Sequence, residues 1–115
     1  MAEPTIDRAI FDDLKEAAGP EFVMELVDTF LTEAPMMLDE LRRSFAKREA
    51  NDFRRAAHSL KSNANTFGAH TLGAMAKELE LGGLAPVVEA GGRPVEALAQ
   101  EYARAAAALT ELRDA

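Results

Sequence analysis

The sequence has no cysteine and no tryptophan, and only one tyrosine among its 115 residues. Without cysteine there are no disulfides, no thiolate catalysis and no cysteine-based zinc or iron–sulfur site. No run approaches the roughly 20 continuous apolar residues that a membrane helix needs. The N-terminus lacks the basic start and apolar stretch of a secretory signal. We therefore expect a soluble, cytoplasmic protein that does not enter a membrane.

Nucleotide-binding motifs are also lacking. There is no GxxxxGK[ST] loop and no kinase ATP-binding segment, so we do not expect the protein to phosphorylate itself from ATP. Internal repeats, low-complexity tracts and domain boundaries are not apparent either, and 115 residues suit one domain. We predict a single domain over residues 1–115, and the start at Met1 favours a free-standing protein.

Acidic residues outnumber basic ones by 20 to 13, for a formal net charge of −7. The middle of the chain reverses this balance, because residues 41–61 carry seven basic and two acidic residues. General nucleic-acid binding is not expected, since the phosphate backbone would be repelled by most of the surface. The basic segment suits one anionic group or one acidic partner surface, although basic residues also simply keep helices soluble.

Helices are the expected secondary structure, because strand patterns are nearly absent and Ala, Leu, Glu and Arg dominate. A first helix is predicted over residues 6–17 with Thr5 as its cap. A second run begins near Pro20, and Pro35 is expected to kink it rather than divide it. Its apolar stripe consists of Phe22, Leu26, Phe30, Ala34, Met37, Leu41 and Phe45.

A third helix is predicted to start at a cap formed by Asn51 or Asp52 and to reach about Phe67, with Gly68 as its stop. Its apolar residues fall within an arc of roughly 100° on the helical wheel. His58 lies about 150° from the centre of that arc, so it should project into solvent. The core-facing residues of this helix are Phe53, Ala56, Ala57, Leu60, Ala64 and Phe67.

The fourth helix should begin near residues 69–71 and run through Leu79, with an end that Gly82 and Gly83 leave open. Residues 84–94 are expected to form a loop that can include a helical turn. A last helix carries the stripe Val95, Leu98, Tyr102, Ala105, Leu109 and Leu112. These amphipathic helices predict an all-α fold, an antiparallel up-down four-helix bundle with a short extra N-terminal helix.

The residues around the histidine of the third helix suit a phosphorylation site. Lys61, Ser62 and Asn65 follow it on the same exposed face, and Arg54 and Arg55 precede it. Neutral imidazole is a good nucleophile near neutral pH. The lysine can neutralise part of a phosphoryl charge, while the small serine leaves the ring accessible. An isolated exposed histidine is more often an ordinary surface residue, so this pattern alone leaves both interpretations open.

The string His58-Ser-Leu-Lys-Ser-Asn-Ala-Asn-Thr-Phe-Gly68 is more specific. It resembles the signature of the histidine phosphotransfer (Hpt) domain family, which is His-x-Leu-Lys-Gly, then small residues, then a glycine ten positions after the histidine. His58, Leu60, Lys61 and Gly68 match this signature, whereas Ser62 stands where the family usually has glycine. The resemblance extends over nearly the whole chain.

This resemblance implies that a response-regulator receiver domain donates a phosphoryl group from its aspartyl phosphate to His58, which passes it to another receiver. Receiver domains or a hybrid histidine kinase are then the expected partners of a monomeric phosphocarrier. The Mg²⁺ would belong to the receiver, so the chain needs no cofactor or metal of its own. The alternative is a non-catalytic helical module that binds a receiver or kinase without phosphotransfer. A helical enzyme with its own active site has little support.

Overall fold

A computed structural model describes residues 5–114, and every regular element in that range is helical. Four long helices form the bundle, and a short helix at each side completes it. The predicted all-α fold is therefore confirmed. The helices are α1 Arg8–Ala18, α2 Pro20–Lys47, α3 Ala50–Thr66, α4 His70–Gly82, α5 Leu84–Glu89 and α6 Arg93–Asp114.

The core lies between α2, α3, α4 and α6. The α3 helix packs most extensively against α4 and then against α2, whereas α6 contacts both α2 and α4. Aromatic rings connect three of these elements, since the Phe30 ring centroid lies 5.4 Å from that of Phe67 and 5.7 Å from that of Tyr102. Such tilted and edge-on contacts are favourable ring geometries. The α3 helix is thus held on two sides.

The second helix runs without interruption from Pro20 to Lys47, through Pro35. This confirms one helix rather than two. The predicted apolar stripe is wrong in its first turns, because Phe22 is 51% exposed while Val23 and Val27 are buried. The valines face Phe11 of α1 and Leu112 of α6, which approach α2 from that side.

The first helix starts later than predicted, and its cap is Asp7 rather than Thr5. One carboxylate oxygen of Asp7 accepts hydrogen bonds from the backbone N–H groups of Ala9 and Ile10, at 3.0 and 3.4 Å. The preceding Ile6 is buried in the core. Because this anchor keeps the chain extended at Asp7, the helix cannot begin before Arg8.

The third helix also begins differently from the prediction. Neither Asn51 nor Asp52 is its cap, since both lie in its first turn and Glu49 occupies the cap position without a side-chain hydrogen bond. The reason is the left-handed conformation of Arg48, with φ 59° and ψ 40°, which ends α2. The chain reverses at this residue and re-enters helix at Ala50.

Residues 84–94 are not mainly a loop, because Leu84–Glu89 forms α5. Val87 on this helix is buried. Burial of an apolar side chain offsets the weak helix signal of a segment that contains Pro86. The fourth helix starts at His70, inside the predicted range, and ends at Gly82.

The turn between α3 and α4 depends on Gly68, which has φ 79°. The stop predicted at this residue is confirmed. Its carbonyl oxygen accepts a hydrogen bond of 2.9 Å from the backbone N–H of Asp7. A β-carbon at this position would lie 3.0 Å from both the Asp7 carbonyl oxygen and the Ile10 β-carbon. The N-terminal segment is thus packed directly on the α3–α4 turn.

We expect Gly68→Ala to lower the free energy of unfolding by about 2–4 kcal/mol, through left-handed strain and the clash with the N-terminal segment. Gly91 is the matched control, because its φ is 67° and nothing lies within 4 Å of an added β-carbon. Gly91→Ala should cost only about 1–2 kcal/mol. Urea unfolding of both variants measures the difference, and equal losses would show that crowding at Gly68 contributes nothing.

Candidate functional site

The exposed face of α3 carries His58. The core-facing side was predicted correctly, since every residue assigned to it is buried. The His58 side chain is 57% exposed, and it extends from the middle of the helix into solvent. The predicted exposure of the ring is therefore confirmed, and a partner can reach it.

A single carboxylate joins the histidine to the lysine that follows it. One oxygen of Glu80, on α4, lies 2.7 Å from Nδ1 of His58, and the other oxygen lies 2.7 Å from Nζ of Lys61. Glu80 and Lys61 are only 21% and 25% exposed, so this bridge is partly shielded from water. Glu80 was not among the site residues predicted from the sequence.

The antiparallel turn between α3 and α4 explains why Glu80 reaches this site. His58 comes ten residues before Gly68 and Glu80 twelve residues after it. At 1.5 Å per residue both positions lie about 15–18 Å from the turn, at similar height on adjacent helices. The sequence held only part of this signal: Glu78 and Glu80 both lie at a matching distance beyond the glycine on either side of the apolar Leu79, and the packing selects Glu80.

The bridge determines which ring nitrogen of the histidine is free. The hydrogen bond from Lys61 is the main cause of the lowered pKa of Glu80. Partial desolvation acts in the opposite direction and raises this pKa, whereas the contact with His58 lowers it further. The carboxylate is therefore ionised at neutral pH, and an ionised carboxylate only accepts hydrogen bonds. Nδ1 of His58 must then donate its proton to Glu80. In the neutral ring this leaves the lone pair on Nε2.

The other predicted residues on this face occupy different surroundings. Ser62 is exposed one turn beyond His58. Asn65 lies further along α3 against Gly73 of α4, where a β-carbon on the glycine would overlap the amide oxygen. Gly68 forms the turn. The structure thus brings Lys61 to the ring through Glu80 and places Asn65 towards the turn.

The two arginines before the histidine also separate. Arg55 pairs with Asp52 on its own helix, with 3.8 Å between the charged atoms. The Arg54 guanidinium lies against the α4–α5 junction, where Nη2 would be 3.6 Å from a β-carbon at Gly83. Both side chains are exposed, and neither is joined to His58 by a hydrogen bond in the described part of the chain.

The second histidine belongs to a different part of the fold. Nε2 of His70 lies 3.2 Å from the second carboxylate oxygen of Asp7. This contact joins the start of α4 to the cap of α1.

The described residues offer no candidate for a membrane span or a metal site. Between residues 5 and 114, no helix combines the length and the apolar character that crossing a membrane requires. Within the same residues, no group of three or more His, Cys, Asp or Glu side chains is arranged to hold a metal ion.

Comparison with known proteins identifies the family of the chain. The family model described as the Hpt domain matches residues 25–115. The chain belongs to the Hpt domain family. Its fold is similar to the crystal structure of histidine-containing phosphotransfer protein B (HptB) from Pseudomonas aeruginosa PAO1, with a TM-score of 0.83 and 24% identity over 98% of this chain and 97% of that one. No curated protein matches the sequence.

Membership in the Hpt domain family confirms the resemblance seen in the motif around His58. Proteins with this domain are phosphocarriers rather than catalysts. They interact with receiver domains and histidine kinases in phosphorelays. The protein is therefore a histidine phosphotransfer protein of a phosphorelay.

Replacing Glu80 should remove the hydrogen bond that fixes the tautomer of His58. In Glu80→Ala we expect the Nδ1–H tautomer of His58 to fall severalfold, towards the mixture of free imidazole, because its acceptor is lost. Nitrogen-15 NMR of the neutral ring distinguishes the two tautomers. Glu78→Ala is the control, since Glu78 is an exposed glutamate of α4. An unchanged tautomer in the Glu80 variant would contradict the assigned hydrogen bond.

The lowered pKa of Glu80 also predicts a pH dependence of stability. A carboxyl group whose pKa is lower in the folded protein stabilises it above the unfolded value, here 4.5, and this contribution is lost as pH falls through the folded value. Wild type should therefore exceed Glu80→Gln in unfolding free energy at pH 7, and the difference should shrink as the pH falls below 4.5. Urea unfolding at neutral pH and at acidic pH provides the measurement. A difference that grows on acidification would contradict the pairing.

Proposed function

We propose that His58 accepts a phosphoryl group from a receiver-domain aspartyl phosphate and passes it to another receiver. The observation that carries this proposal is the exposed imidazole whose Nδ1 is bound by Glu80. Its Nε2 lone pair attacks phosphorus, the bond between phosphorus and the aspartyl oxygen breaks, and the electron pair stays on the released carboxylate. The positive charge that develops on the ring lies beside Glu80, which stabilises it.

Lys61 serves the transferred group in this proposal. An ammonium has three donors, and only one is needed for the Glu80 oxygen at 2.7 Å. The remaining donors can turn towards phosphoryl oxygens on Nε2 and neutralise part of their charge. Ser62 supports the step by its small size, Asn65 and Gly68 maintain the end of the helix, and Arg54 and Arg55 lie on the turn that precedes the histidine.

No step of this transfer uses a nucleotide or a cofactor of the chain. Receiver domains, or a hybrid histidine kinase that carries one, are the proposed partners, and Mg²⁺ would be bound on the receiver. Transfer can run in both directions, because the same nitrogen receives and releases the group. We further propose that the protein acts in the cytoplasm as a monomer.

A non-catalytic module that only binds a receiver or kinase is the second candidate. Docking alone needs no nucleophile, whereas this surface holds an imidazole in one tautomer beside an ammonium. That arrangement favours the carrier.

Replacing the nucleophile should abolish labelling. When wild type meets a radiolabelled phospho-receiver, we expect an acid-labile, alkali-stable phosphate on the chain, and none on His58→Gln. His70→Gln is the matched control and should keep the label, because His70 belongs to the α1–α4 contact. The host's complete set of receivers should be tested. Label that persists without His58 would refute the assignment, and saturable binding without any label would favour the non-catalytic module.

A further inference from the structure

Two arginines around the start of α3 lack an acidic partner in the described part of the chain. Arg48 and Arg54 form no ion pair within residues 5–114, although the chain has more acids than bases. Both line one open groove of about 580 Å³ between the start of α3, the α4–α5 junction and α5. The arginines that are ion-paired are Arg8, Arg42, Arg43, Arg55, Arg104 and Arg113.

Packing rather than a salt bridge holds these guanidinium groups at the groove. The Arg48 guanidinium lies 4.7 Å from the centre of the Phe45 ring and donates to the Phe45 carbonyl oxygen. Arg54 lies beside Gly83, where its Nη2 would be 3.6 Å from an added β-carbon, an ordinary van der Waals distance. Their remaining donors are therefore available to an external anion.

The groove also has an apolar part and one opposing charge. Leu84 and Val88 of α5 are partly exposed along its wall, and the exposed Glu89 lies at its edge. Two guanidinium groups against one carboxylate make the groove basic. A partner that fits must offer acidic groups to the arginines, an apolar side chain to α5, and no acid next to Glu89.

The groove shares Arg54 with the exposed side of α3, one helical turn before His58. A protein that brings an aspartyl phosphate to Nε2 of His58 is therefore placed to extend onto Arg54. Any segment that it extends along α3 towards α5 meets Arg48 and the apolar wall.

We propose that this groove binds an acidic segment, with at least one apolar side chain, on the receiver domain that exchanges phosphate with His58. The inference rests on the proposed function for the identity of the partner. Carboxylates can meet guanidinium groups in bidentate geometry, and such contacts select among partners more than they add affinity. The groove then determines which receiver is bound, while His58 performs the transfer.

Charge-reversal variants inside the groove can be compared with a charge-reversal variant outside it. In a His58→Gln background, where no phosphate is exchanged, we would measure the Kd of the receiver that labels wild type fastest. Arg54→Glu and Arg48→Glu should each weaken binding about tenfold, with less dependence on salt than wild type. Arg93→Glu changes the net charge equally but lies outside the groove and has no ion pair in residues 5–114. It should change binding less than twofold.

Equal weakening by the groove variants and Arg93→Glu would overturn the proposal, because it would show only long-range repulsion. No weakening by Arg54→Glu or Arg48→Glu would also overturn it, while labelling of His58 would still support the carrier function.

If no receiver labels His58, the proposed function fails, and the groove is tested with a fluorescent peptide of alternating Asp-Glu and Leu residues. If Arg48→Glu and Arg54→Glu leave the affinity for that peptide unchanged, the groove is not the binding site and the proposal fails. Circular dichroism of each variant checks the fold.

Discussion

The antiparallel packing of α3 against α4 is the constraint on which the site depends. The α3 helix must bury one apolar face, so His58 on the opposite side remains in solvent. The turn at Gly68 returns the chain along that helix and brings Glu80 to the height of His58. The contact that shapes the site is therefore a consequence of the same packing that stabilises the bundle.

One carboxylate has two effects at this site. It fixes the tautomer of His58 and holds the ammonium of Lys61 near the same ring, because each oxygen of Glu80 accepts a different donor. The lysine is thus not a free charge as the motif alone suggested. Its position is set by a partner on another helix, so it has fewer conformations to lose in the proposed transfer.

Predictions from the sequence succeeded where they depended on neighbouring residues. The exposure of His58 followed from helical periodicity, and the stop at Gly68 from the left-handed conformation that glycine adopts readily. The predicted caps at Thr5 and at Asn51 or Asp52 failed because contacts between distant segments decided where the helices begin. The α5 helix was missed for a similar reason, since burial of Val87 stabilises a segment with weak helix propensity.

The sequence by itself determined the helical class, the outward direction of His58 and the family, because each is encoded in local periodicity or in one contiguous motif. The tertiary structure alone decided that Glu80 is the partner of both His58 and Lys61. Glu80 is 22 residues from the histidine, and it reaches the ring only when two helices pack side by side in opposite directions. The grouping of Arg48 and Arg54 in one groove also required that packing.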